Sequence, residues 1–196
     1  YGVLNLHNSL LPKYAGLNAC TWAIAKGEVR HGVTLLFVDE GVDTGDIVTQ
    51  RSFPIPVGCT AIQLIMKCID EGNILIREYL PKIMRRELPR LKQDLSKRTQ
   101  YFLDDVPNSG NVCFEWEYPR FDAFVRSLNW NPFPKLLRHP EATYDGRKFF
   151  IDRIRRIGDS VEKPGTILDL NGEQVLVSIK NSVISILEIR DESEKR

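Results

Sequence analysis

Apolar and polar positions change their spacing several times along the chain, and each change marks an element. Tyr1-Gly2-Val3-Leu4 opens as a buried strand that runs on through Asn5, Leu6 and His7. Side chains two apart on a strand share a face, so Asn5 and His7 point one way and Leu4 and Leu6 the other. The strand then breaks into the Pro/Lys/Gly loop of NLHNSLLPKYAG, residues 5–16. Asn18 stands where it can cap a short helix through Trp22, Ala23 and Ile24, ending at Gly27. HGVTLLFVDEGVDTGDIVTQ, residues 31–50, reads as a strand, an acidic glycine-containing loop and a second strand.

From Thr60 the period lengthens. Ala61, Leu64, Ile65, Cys68, Ile69, Leu75, Ile76 and Leu80 recur at three- and four-residue spacing, which predicts an amphipathic helix capped by Thr60 and weakened locally by Gly72. Strand, helix, strand, strand, helix is a piece of an α/β layer. Farther on, RFDAFVRSLNW carries a helical stripe of Phe121, Phe124, Val125 and Leu128, after which Pro132, Pro134 and Pro140 rule out a long helix. KFFIDRI, GTILDL, QVLVSI and SVISILEI are short β-rich runs, separated by the turn signals VEKPG, NGE and KN. A small, mainly antiparallel barrel-like domain is the natural packing, with the boundary near residues 90 to 110. No internal repeat is visible.

At 196 residues and 42% hydrophobic, the chain can bury a real core in one large or two small domains. Its apolar runs are too short to cross a bilayer and its start lacks the order of a signal peptide, so the expectation is a cytoplasmic protein with no membrane partner. The net charge is only +1. The positive charge is concentrated in residues 81–100, with 7 basic against 2 acidic residues, while residues 101–196 have 14 against 16. A solvated helix and linker is the favoured reading of that run, ahead of a polyanion contact through Arg85, Arg86, Arg90 and Lys92. Cys20, Cys59, Cys68 and Cys113 lie far apart, without C-x-x-C or zinc spacing, and read as reduced, mostly buried thiols.

The candidate chemistry lies in Asn5, His7 and, 36 residues beyond the histidine, Asp43. An imidazole exchanges protons near neutral pH, an amide N–H binds a developing oxyanion, and a neighbouring carboxylate fixes the imidazole's tautomer. Together they suit attack of an amine on a carbonyl carbon. Spacing alone leaves a structural histidine as the commoner outcome. Asp39, Glu40, Asp43 and Asp46 lack the ligand spacing of an EF-hand, so no metal is expected there.

NLHNSLLPKYAG followed by WAIAKGEVRHGVTLLFVDEGVDTGDIV resembles the signature of the folate-dependent formyltransferases, a superfamily that includes methionyl-tRNA formyltransferases and amino-sugar N-formyltransferases. The likeness runs over residues 2 to 80. It implies a catalytic trio of Asn5, His7 and Asp43, with 10-formyltetrahydrofolate as formyl donor and no metal. It implies further that Asp39, Glu40, Gly41 and Val42 line the folate pocket, and that the loop from Ser9, through Leu10, Leu11 and Pro12, borders the formyl and acceptor side. Residues 105–196 are similar, more loosely, to the family's small C-terminal β domain. The fold class implied is α/β: the C-terminal half of a Rossmann-like formyltransferase domain over residues 1–95, with a basic linker from about 81, then a small, mainly-β, OB-like domain.

The family's Rossmann-like half lies upstream of the N-L-H strand, so the expectation is that these residues are part of a longer protein and are less active alone. Tyr14-Ala15-Gly16 replaces the Tyr-Arg-Gly common in methionyl-tRNA enzymes, and the near-neutral C-terminal part weakens the tRNA reading. The acceptor stays open between a small-molecule amine, an amino sugar or amino-acid derivative, and an aminoacyl-tRNA, with a lean to the former. The resemblance leaves room for a homodimer. The competing class is a catalytically incomplete formyltransferase-like module that binds folate or a partner without turnover.

Overall fold

The computed structural model describes residues 2–133, 138–169 and 175–191. Tyr1, Pro134, Leu170 and the Asn171-Gly172-Glu173 turn with Gln174, all used in the sequence reading, lie outside them. The chain divides into two compact units, one of Tyr1–Ala23 with Glu28–Asp105, the other of Ile24–Gly27 with Val106–Arg196.

In the first unit β1 (Leu4–His7) precedes the two-residue β2 (Ala15–Gly16) and α1 (Ala19–Ala25). β3 (Arg30–Phe37) and β4 (Ile47–Pro54) flank the acidic loop. The sheet order is β1-β3-β4, antiparallel throughout, with Asn5 opposite Leu36 and His7 opposite Thr34. β3 is central, and its run from His31 to Leu36 is buried on both faces, so the polar His31 and Thr34 within it must find partners inside the fold. The parallel pairing characteristic of a Rossmann-like half is not found in this sheet. At its leading edge Gly2 and Val3 are exposed, Val3 by 66%, against the buried opening strand expected.

α2 (Ala61–Arg85) covers β3 with Ala61, Leu64, Cys68, Gly72 and Leu75, at the spacing the sequence predicts. Thr60 is its N-cap, and Gln63 closes the capping box by accepting from the Thr60 N–H. The helix outruns the apolar period, continuing through Pro81 until Arg86 ends it at a φ of 61°. Gly72 has a packing reason: a Cβ there would stand 2.2 Å from Leu6 Cδ2, so its absence lets β1 seat against the helix. Asn18 does not cap α1 with its side chain. Its φ of 58° departs from the extended conformation a capping side chain needs, and it opens the helix through its carbonyl, which accepts from Trp22 N–H at 3.1 Å.

The basic segment is solvent-exposed, as expected of a helix end and linker, but it is tethered to the sheet. Leu91 exchanges backbone hydrogen bonds of 2.8 and 2.9 Å with Ile47. Beyond it, β5 (Gln100–Tyr101) pairs in parallel with β2. Composition hid this because a strap held mainly by backbone bonds needs no apolar pattern.

In the second unit α3 (Tyr118–Ser127) packs on β7 (Arg147–Gly158). The other strands are β6 (Glu141–Tyr144), β8 (Ile167–Asp169), β9 (Val175–Ile179) and β10 (Ser182–Asp191). The antiparallel order is β6-β7-β10-β9-β8. Phe121 and Val125 of the helix bury against Ile151, Ile154, Val177, Ile179, Ile184 and Ile186. β6 was missed by pattern, although Asp145 and Gly146, with φ of 47° and 71°, form the Asp-Gly turn that announces a hairpin.

Candidate active site

β1 is an edge strand whose first residue, Leu4, pairs with Phe37 at the end of β3, and the β3–β4 loop that follows brings Asp43 to Asn5 and His7. Asp43 is the hub. Its Oδ1 accepts from Asn5 Nδ2 at 3.3 Å, its Oδ2 lies 3.4 Å from His7 Nδ1, and the same oxygen accepts the Gly16 N–H at 2.8 Å. The opposite ring nitrogen, His7 Nε2, faces the Tyr14 carbonyl at 2.8 Å. Both imidazole nitrogens therefore face oxygen acceptors. Either neutral tautomer donates to one of them, and the doubly protonated ring donates to both. His7 is buried, whereas Asn5 is exposed at the open side.

The loop that carries Asp43 is fixed by close contacts. Asp43 itself has a φ of 54°, in the left-handed region. A Cβ on Gly41 would lie 2.1 Å from Thr44 Oγ1, and one on Gly45 would lie 1.8 Å from the Phe37 carbonyl oxygen. Only glycine admits those approaches. Asp39 Oδ1 accepts from Gly41 N–H at 3.1 Å and from Thr44 Oγ1 at 2.7 Å, so one of its oxygens organises the loop.

From outside the loop, Gln93 Nε2 donates to the carbonyls of Asp43 and Gly45, both at 2.8 Å, and Arg98 Nη2 donates to the Val42 carbonyl at 2.6 Å. Lys92 Nζ and Arg90 Nη1 lie 2.9 and 3.5 Å from Asp46. Hydrogen bonding to Lys92 and its charge, helped by Arg90, hold the Asp46 carboxyl below its ordinary range against the opposing effect of burial. Sequence reading missed Gln93 and Arg98 because their partners are backbone carbonyls some fifty positions away.

A cavity of about 190 Å³ lies against this cluster, lined by Asn5, Asp39, Gly41, Val42, Asp43 and neighbouring residues of the loop. Three of the four residues expected at the folate pocket thus face it together with two of the trio. Glu40 is exposed and is not in the lining. The four residues expected on the acceptor side are placed differently. Ser9 is fully buried and donates to the Lys13 carbonyl at 2.6 Å, and Leu11 is 3% exposed. Leu10 and Pro12 are partly exposed. None of the four lines the cavity.

Thr34 explains why that loop is so firmly held. Buried on β3 opposite His7, its Oγ1 donates to the Ser9 carbonyl at 2.6 Å and accepts from Leu11 N–H at 3.1 Å and Gln50 Nε2 at 2.9 Å. Gln50 Nε2 also reaches the Leu11 carbonyl at 2.8 Å. Tyr14, whose carbonyl faces His7, is anchored by its hydroxyl, which donates to Glu28 Oε1 at 2.7 Å. Burial, then that hydrogen bond, pushes the phenol well above its usual range, so it remains a donor. Tyr14 stacks on Tyr101, and Tyr101 stacks on Trp22 with centroids 4.1 Å apart.

Residues 1–80 match the family described as formyl transferase. They belong to it. The likeness extends beyond that segment: a methionyl-tRNA formyltransferase of Clostridium novyi is 28% identical over 196 residues, covering 100% of this chain and 61% of the relative. A methionyl-tRNA formyltransferase of Geobacter sulfurreducens is 32% identical over 196 residues, again across 100% of this chain and 59% of its own length. The chain thus spans about three fifths of these curated relatives. Among solved structures, an N-formyltransferase from Helicobacter canadensis in complex with folinic acid and dTDP-3-aminofucose superposes with a TM-score of 0.76 at 22% identity, over 94% of this chain and 65% of that one. At that identity the formyltransferase fold is what is shared.

The described residues include no helix long and apolar enough to cross a membrane.

Proposed function

We propose that the protein is an N-formyltransferase that moves a formyl group from 10-formyltetrahydrofolate to a primary amine. The observation that carries this reading is the convergence of Asn5 and His7 on the two oxygens of Asp43, at 3.3 and 3.4 Å, beside the cavity.

10-Formyltetrahydrofolate supplies the formyl carbon that an amine attacks. Asn5 Nδ2, which lines the cavity, donates to the formyl oxygen as negative charge develops there, and His7, buried behind it with Nδ1 against Asp43 Oδ2, adds its positive charge when protonated. Asp43 Oδ2 orients the imidazole, takes the proton that the amine nitrogen loses and returns it to N10 as the bond between the formyl carbon and N10 breaks and tetrahydrofolate leaves. Separations of 3.3 to 3.4 Å are long for hydrogen bonds, as expected of a site that tightens around its substrates.

The donor fits the site in part. At about 190 Å³ the cavity is smaller than the roughly 300–1,000 Å³ of pockets that enclose a whole drug-sized ligand. It has room for the formyl-bearing part of a folate, with Val38 and Val42, each more than half exposed, offering apolar surface at its rim. Asp39, Gly41 and Val42 are the residues we assign to donor binding. The buried Ser9 and Leu11 shape the acceptor side by fixing the course of the loop.

For the acceptor we favour a small-molecule amine, an amino sugar or amino-acid derivative, over an aminoacyl-tRNA. The basic segment supports this choice. Arg90 and Lys92 are paired with Asp46, Arg85 with Glu87 at 3.0 Å, and Arg90 also lies over the Phe37 ring. Charges already neutralised within the fold add little to phosphate binding.

Calorimetric titration with a folate analogue, run beside a transfer assay on a panel of amines, tests the reading. Binding with transfer to a small amine is the expected result. Binding without turnover on any amine would favour the alternative of a folate-binding module, and absence of both would remove the proposal.

A further inference from the structure

The same unit holds a second cluster of chemically capable groups, which the formyl-transfer reading does not use. Cys20 on α1, His31 on β3 and Cys68 on α2 are 2%, 3% and 0% exposed, and one ligand atom from each lies within 4.8 Å of the other two. Cys20 Sγ is 3.7 Å from His31 Nε2 and 3.7 Å from Cys68 Sγ. Two thiolates bound to zinc at about 2.3 Å with a tetrahedral angle between them stand roughly 3.8 Å apart, and a thiolate and an imidazole nitrogen roughly 3.6 Å. The two distances from Cys20 already have those spacings, and His31 and Cys68 lie within 4.8 Å of each other. We propose that Cys20, His31 and Cys68 supply three ligands of a structural site for Zn²⁺ that joins α1, β3 and α2.

The chemistry of the donors favours zinc over hard cations. Two sulfurs and an imidazole are the ligands of structural zinc centres, whereas calcium and magnesium take oxygen. Cys59 is also buried but lies outside this grouping, so the fourth position falls to a water or another small donor.

Metal entry is balanced by proton loss. Each coordinating thiol releases one proton. The 2.7 Å contact of His31 Nε2 with the Asn8 carbonyl is a donated hydrogen bond, so on metal entry the ring proton shifts from Nε2 to Nδ1 and Nε2 gives up the carbonyl for the metal. Asn8 follows His7 in the chain, so the site also bears on where β1 ends.

The test loads the purified chain with Co²⁺, then Zn²⁺, under a non-thiol reductant. The proposal expects thiolate-to-cobalt charge-transfer absorption with the intense visible bands of a tetrahedral site, displaced by zinc. It also expects about one zinc per chain retained after gel filtration, and a thermal midpoint above that of chelator-treated protein. Cys113→Ser should behave as the parent, whereas Cys20→Ser and Cys68→Ser should retain at least tenfold less zinc. If the serine variants fail to fold, the cobalt spectrum of the parent chain decides alone. Absence of that spectrum, unchanged zinc retention in Cys20→Ser, or a Cys20–Cys68 disulfide in place of metal would overturn the proposal.

Discussion

Gln93 reaches fifty positions back along the chain to donate a 2.8 Å hydrogen bond to the backbone carbonyl of Asp43. A residue of the basic strap therefore sets the height of the carboxylate that collects Asn5, His7 and Gly16. Gln93→Ala should loosen the loop without unfolding the unit. The Gly16 amide, which donates to Asp43 Oδ2, should then exchange with solvent about tenfold faster, equivalent to about 1.4 kcal/mol, the scale of one lost hydrogen bond. Hydrogen exchange resolved at Gly16 checks this. Unchanged protection there would mean that the loop holds itself.

Thr34 offers a sharper test of how the loop after His7 is held. Thr34→Val keeps shape but removes the hydroxyl, leaving the Leu11 N–H and the Ser9 carbonyl in the interior without that partner. A loss of about 2–4 kcal/mol in urea unfolding is expected, with Thr34→Ser recovering most of it. Little loss in Thr34→Val beside a large loss in Thr34→Ser would assign the effect to the methyl group.

Gly72 should behave against its helix propensity. Gly→Ala within a helix ordinarily gains about 1 kcal/mol, but here the added methyl meets Leu6 of β1. Gly72→Ala should gain little or lose stability in the parent chain, and recover the ordinary gain when Leu6→Ala makes room. Unfolding measured across this double-mutant cycle reads the coupling directly.

These elements also show what was legible beforehand. The α2 period, the Thr60 cap and the β3–loop–β4 hairpin follow from local chemistry, and Asn5, His7 and Asp43 were recognisable because a motif names them in two blocks. Gln93, Arg98 and Thr34 were not, since a side chain that bonds a distant carbonyl leaves no periodic trace. Cys20, His31 and Cys68 escaped for the same reason: they come from three different elements, and their proximity is made by the packing of α1 and α2 on β3. Ser9 and Leu11 showed the reverse, where loop composition pointed outward and the hydrogen bonds to Thr34 and Gln50 turned the residues inward.

In the second unit Asp152 is 4% exposed and paired with Arg190 and His139. Burial alone would raise its pKa, but the hydrogen bonds and charges of His139 and Arg190 outweigh it and hold the carboxyl at about 2. Since the folded value lies below the unfolded one near 4, the stabilisation is present above about pH 4 and is lost as pH falls toward about 2. Acid titration of unfolding should show about 2 kcal/mol lost in that window. Asp152→Asn should flatten it while lowering stability at neutral pH by about 3–5 kcal/mol, because Arg190 loses its buried counter-charge.

The most direct measurement of the central claim is formyl transfer from 10-formyltetrahydrofolate by Asp43→Asn, beside binding of a folate analogue to the same variant. The account predicts turnover reduced on the order of a hundredfold or more with analogue binding largely retained. Near-normal transfer by that variant would contradict it.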